Sequence, residues 1–154
     1  MQWGRVNNDF HVSAKRDAAV LERGIYDVCQ TPSGEFFLRM REEKEFAMPT
    51  GKLYDLDAPF IARVKRTLDA PSKKAKNVGI LLSGVKGTGK SVTAKLICNQ
   101  SQLPIIVIDR RIQGLIPFLV SLPSEYIMFI DEYEKVFNEN REQGCSDPLL
   151  TMMD

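Results

Sequence analysis

The sequence predicts an α/β fold: a parallel sheet with flanking helices, preceded by a small region of β-hairpin and helix. Two observations carry that expectation. Beyond residue 77, short apolar runs at 78–83, 104–109 and 126–131 alternate with helical patterns near 90–100 and 112–122, the order expected of a parallel sheet. A glycine-rich turn also separates the first run from the first of those helices. The chain has 154 residues, 44% of them hydrophobic, enough for one domain with its own core.

The elements follow in chain order. Residues 1–70 read as an N-terminal arm, a hairpin and a helix, 71–77 as a basic linker, and 78–154 as the α/β core. Residues 1–19 are polar and aperiodic and read as a loose arm, with a short helix over 13–22. Two runs rich in β-branched and aromatic residues, 25–29 and 35–40, flank Thr31-Pro32-Ser33-Gly34. That is turn chemistry, so a hairpin is expected. Asp57-Ala58-Pro59 places an N-cap before a first-turn proline. Phe60, Ile61, Val64 and Leu68 then recur at helical spacing up to Pro71.

Arg63, Lys65, Arg66, Lys73, Lys74 and Lys76 put six positive charges in a short span. With no aromatics interleaved, they read first as a solvated helix face and loop; a phosphate-backbone contact is the alternative.

Composition excludes several classes. Lys and Arg total 21 against 20 Asp and Glu, so gross charge points to neither a nucleic-acid coat nor an acidic tail. No apolar run approaches the roughly 18 residues of a membrane span. The first residues show no apolar signal core, and a cytoplasmic protein is expected. Cys29, Cys98 and Cys145 are odd in number and far apart, which suggests plain thiols in a reducing compartment. His11 stands alone at any metal-ligand spacing, against a zinc site.

Gly84-Val85-Lys86-Gly87-Thr88-Gly89-Lys90-Ser91 fits GxxxxGK[ST], after an apolar run and at the opening of a helix. Glycines let the backbone curl so that successive N–H groups face phosphate oxygens. The helix dipole adds to that field. Lys90 is expected to reach the β- and γ-phosphates, and the Ser91 hydroxyl to ligate Mg²⁺. Nucleotide contacts are expected from Gly84 through Val92, with Lys86 contributing backbone only.

The run Ile127-Met128-Phe129-Ile130 ends in Asp131-Glu132. A buried parallel strand carries such a pair to its C-terminal edge, where ligands bind in open sheets. Asp131 would hold Mg²⁺ and Glu132 would act as general base toward water. A cap for the following helix is the competing reading of the pair.

Together the two motifs resemble an AAA+ ATPase, within the P-loop NTPases. The 78–91 stretch is similar to the family's strand plus Walker A, and Phe129-Ile130-Asp131-Glu132 resembles Walker B. Leu149-Leu150-Thr151-Met152-Met153-Asp154 is similar to the family helix after Walker B. The resemblance implies ATP and Mg²⁺ as cofactors, a ring-shaped homo-oligomer, and remodelling of a macromolecular partner. It also implies adenine contacts upstream, with Tyr54 and Ile25 as candidates and a core role as the alternative for each.

There are departures from the family pattern. Val85-Lys86 replaces a proline-rich loop start. Arg110-Arg111-Ile112-Gln113-Gly114 stands where an aromatic pore residue is expected, and 138–146 is a polar loop where a second pore loop would lie. The family inserts a further strand between the phosphate-loop strand and the Walker B strand. That strand, the arginine finger and the lid would follow Asp154, so the sheet is expected to be incomplete and the chain a piece of a longer protein. Such a piece, lacking a trans-acting arginine, is expected to turn over slowly, by a factor of about 10³–10⁵. A small-molecule kinase, or a nucleotide-binding assembly module without turnover, are the alternatives.

Overall fold

The computed structural model describes residues 2–13, 21–51, 58–69 and 77–133. They cluster into two compact units. One holds the chain up to Lys44 and resumes at Leu103; the other holds Glu45–Gln102.

Among the described residues the first unit is a six-stranded sheet with α3 (Leu115–Val120) packed on it. Its strands are β1 (Gln2–Val6), β2 (Asp9–Ser13), β3 (Ile25–Gln30), β4 (Phe36–Met40), β5 (Ile105–Ile108) and β6 (Ile127–Ile130), in the order β1-β2-β4-β3-β5-β6. The first four pair antiparallel, with β4 between β2 and β3. β3 then pairs in parallel with β5, and β5 with β6. The α/β class thus holds, with β5 and β6 parallel as expected from the alternation and α3 packed on the sheet, consistent with a P-loop NTPase fold. The expected hairpin is β3–β4, closed by Gly34 N–H donating to Thr31 O at 2.9 Å.

Strand alternation sorts the residues of this sheet between two faces. Phe10, Tyr26, Leu38 and Ile106 share one face through register and are fully buried. Leu115 and Leu119 of α3 cover them, together with Leu122. Tyr26 meets Phe10 edge-on at 5.5 Å and donates its hydroxyl to Glu22 O at 2.8 Å. Burial pushes that phenol up to about 12. On the opposite face Arg39 grips Asp9 with bonds of 2.8 and 3.1 Å. Arg41, just past β4, grips Asp27 likewise.

The second unit holds α1 (Ala58–Asp69) and α2 (Lys90–Gln100). Ile61 and Val64 of α1 pack on Ile97 of α2, with Phe60, Leu68 and Leu96 around them. α2 has the bounds that the sequence predicts; the proposed cap of α1, Asp57, lies outside the described residues.

Two local expectations are corrected. The supposed loose arm forms the β1–β2 hairpin over 2–13. Its two-residue turn, Asn7-Asn8, places Asn7 at φ 55, and asparagine tolerates that left-handed backbone better than most residues. Residues 21–24 are not helical, and 14–20 lie outside the described residues. The second correction concerns 78–83, which is not a strand. Val78, Ile80 and Leu81 are 45%, 40% and 81% exposed. An apolar run becomes a strand only beside a partner. The two edges of β5 are taken by β3 and β6, and no strand of the described residues pairs with 78–83.

Candidate functional site

The glycine loop precedes α2 directly. Gly84, Gly87 and Gly89 take φ values of 142, 88 and 80, backbone that favours glycine. A Cβ at Gly87 or Gly89 would meet nothing within 4 Å, so these glycines serve conformation and leave the surface over the loop open. Gly89 is the N-cap of α2 and no side chain caps the helix. The first N–H groups of a helix have no intrahelical acceptor, and with the dipole they make a place for an anion.

Lys90 is half-buried, and its ammonium donates to Gly84 O and Val85 O, each at 2.8 Å. These bonds fold the side chain back over the loop. The Thr88 hydroxyl donates to Val85 O at 2.8 Å, bracing the same turn. Val85 and Lys86 are exposed, Ser91 stands exposed at the second position of α2, and Val92 follows half-buried. All of Gly84–Val92 lies in the unit that holds α1 and α2.

Asp131 and Glu132 lie in the other unit, directly after β6. Both are exposed, while Phe129 anchors the strand at 6% exposure. Ile108 and Ile130 are register partners, so Asp109 and Asp131 leave parallel strands at the same carboxyl edge, the ligand edge of such sheets. Glu132 has φ 58, a left-handed backbone that is a genuine outlier for glutamate.

The remaining candidates divide. Ile25 is 1% exposed and pairs with Ile105, so it is a core residue. Tyr54, the 138–146 loop and the 149–154 stretch lie outside the described residues. Arg110 faces Asp109 at 3.9 Å, and Arg111 is exposed. Among the described residues no cluster of three or more His, Cys, Asp or Glu could hold a metal.

One residue of the loop-bearing unit escaped the sequence reading. Asn99, near the end of α2, accepts from Phe46 N and donates to Phe46 O, both at 2.9 Å. It holds an extended segment to the helix as a strand neighbour would. Pairing across 53 residues leaves no local pattern to read.

Residues 80–154 match the family model described as "ATPase family associated with various cellular activities (AAA)". This segment is similar to the AAA ATPase family. The AAA match begins within the run before the glycine loop and takes in both motifs.

Similar proteins bear the name "Uncharacterized AAA domain-containing protein ycf46". That of Trieres chinensis is 37% identical over 81 residues, covering 44% of this chain and 16% of its own. That of Guillardia theta is 37% identical over 84 residues, with the same shares. That of Gracilaria tenuistipitata var. liui is 34% identical over 104 residues, covering 53% and 21%. The chain thus spans about a fifth or less of the relatives it matches. No solved structure matches it. The match supports ATP binding and ATPase-type function as a class. No helix among the described residues is long and apolar enough to cross a membrane.

Proposed function

We propose that the chain binds ATP with Mg²⁺ through Gly84–Val92 and Asp131 and hydrolyses it with Glu132 as base. In the longer protein this turnover would drive remodelling of a macromolecular partner by a ring of subunits. The observation that carries the reading is the loop itself: three positive-φ glycines open onto a helix start that no side chain caps.

The residues suit the ligands. A hydroxyl at Ser91 and a carboxylate at Asp131 are hard oxygen donors of the kind Mg²⁺ takes. Bound there, the metal would neutralise charge on the β- and γ-phosphates. The chain's own groups do the rest. Backbone N–H groups of the loop orient the phosphates. Lys90 exchanges its two carbonyl acceptors for phosphate oxygens, and Glu132 takes a proton from the attacking water.

The test uses Glu132→Gln and Lys90→Ala in the full-length protein. Glu132→Gln should bind ATP with unchanged affinity and lose turnover, while Lys90→Ala should lose affinity. Undiminished release of free phosphate by Glu132→Gln would refute the assignment, and a phosphorylated metabolite as product would replace it with the kinase reading.

A further inference from the structure

The whole-chain balance of +1 conceals a division of charge. From 58 to 108 the sequence carries nine basic residues against a single acid, Asp69. The structure shows how the two kinds of site differ. In the sheet unit Arg5, Arg39, Arg41 and Arg110 each face a carboxylate. On α1, Arg63, Lys65 and Arg66 are exposed, and no ion pair engages them among the described residues.

Their placement is set by packing. Ile61, Val64 and Leu68 turn inward toward Ile97. At 100° per residue Arg63 and Arg66 therefore fall on the outer side of the helix, while the exposed Lys65 stands at its margin, beside Ile61, Leu68 and Gln100. Arg63 and Arg66 stand one turn apart on that side. The Arg63 guanidinium lies 5.8 Å over the Phe60 ring, which orients it without consuming its donors. Cations this close repel one another, and an anionic partner would relieve that repulsion.

We propose that the exposed cationic side of α1 binds the phosphate backbone of a nucleic acid through Arg63 and Arg66 on its outer face and Lys65 at the margin. The twelve residues of α1 span about 18 Å, and a duplex offers a charge about every 1.7 Å of axis. Guanidinium groups suit phosphate because their donors form a fork. A lipid surface fits less well. The exposed positions of this side, Ala62, Arg63, Lys65, Arg66 and Thr67, include no large apolar side chain to enter a membrane interface. The contacts carry no base readout, so binding is independent of sequence. Nucleotide turnover is not needed for it, and it stands apart from the ATPase reading.

The experiment is fluorescence anisotropy on the 154-residue chain without nucleotide, using a labelled 20-base-pair DNA duplex at 50 to 200 mM NaCl. Three phosphate contacts give a log–log salt slope of about −3. Arg63→Glu/Lys65→Glu/Arg66→Glu should lose at least tenfold in affinity at 50 mM and flatten the slope by about that amount. Arg63→Ala/Lys65→Ala/Arg66→Ala should also lose affinity, which covers any misfolding of the glutamate variant. Lys90→Ala should bind the duplex as the parent chain does. The proposal is overturned if both triple variants keep the parent slope. It is equally overturned if Lys90→Ala abolishes binding, or if the chain binds phosphatidylserine vesicles but no duplex.

Discussion

Glu132 offers a direct measurement of strain at the site. Its φ of 58 costs a residue with a Cβ about 1–2 kcal/mol. Glycine escapes that cost but gives back about 0.5–1 kcal/mol through the freedom of its unfolded chain. The side chain is exposed, so little packing is lost with it. Glu132→Gly should therefore be more stable than Glu132→Gln by about 0.5–1 kcal/mol. Both variants remove the carboxylate, and only the first relieves the backbone. Urea denaturation of the two gives the difference, and thermal melting should place the glycine variant about 2 °C higher for a chain of this size. Both should lack turnover in the full-length protein. If Glu132→Gly proves less stable than Glu132→Gln, residue 132 is not held in the left-handed region and the strain argument fails.

Two further outcomes are expected. Burial raises the Tyr26 phenol and the Cys98 thiol to about 12 each, from 10 and 9. Their neutral forms are thus favoured in the folded state, and the stability they contribute is complete below the unfolded values. It is lost as the pH rises from about 9 toward 12, by at most about 1.4 kcal/mol per pH unit for each group. A denaturation series across that range should show the fall, and Cys98→Ala should remove the part that begins near pH 9. Separately, Asn99→Ala removes two bonds of 2.9 Å to Phe46 and should cost about 2 kcal/mol. Hydrogen exchange should rise at the Phe46 amide and stay unchanged in β3, and unchanged exchange at Phe46 would refute the tether.

Legibility in the sequence followed the range of the interactions. α2 was readable to the residue because its signals are local: a glycine loop before it and helical spacing within it. β5 and β6 were equally plain as apolar runs between helices. The β1–β2 hairpin was not read, although Asn7-Asn8 is a turn signal, because Gln2, Gly4 and Arg5 dilute the alternation around it. The 78–83 run shows the opposite failure. Its apolar residues satisfy a strand pattern, but a strand is a relation between two segments, and periodicity says nothing about the second. The pairing of β3 with β5 lay beyond any window, so the neighbour that β5 takes could not be anticipated. Of the candidate site, the loop and the acidic pair were legible as motifs. The backbone angle of Glu132 and the Lys90 bonds to Gly84 and Val85 were not, because they are conformations rather than residue patterns.

The parallel pairing of β3 with β5 also has a consequence for birth of the chain on the ribosome. Ile25 finds its partner at Ile105, 80 residues later. β4 ends at Met40 and β5 at Ile108, so at about 5–20 residues per second the finished β3–β4 hairpin waits roughly 3–14 s before β5 is complete. During that interval the β3 edge is an open template for the wrong strand, with Tyr26 and Val28 not yet covered by α3. Synthesis rate near residues 30–105, or a chaperone holding that edge, would then govern soluble yield more than the final stability does.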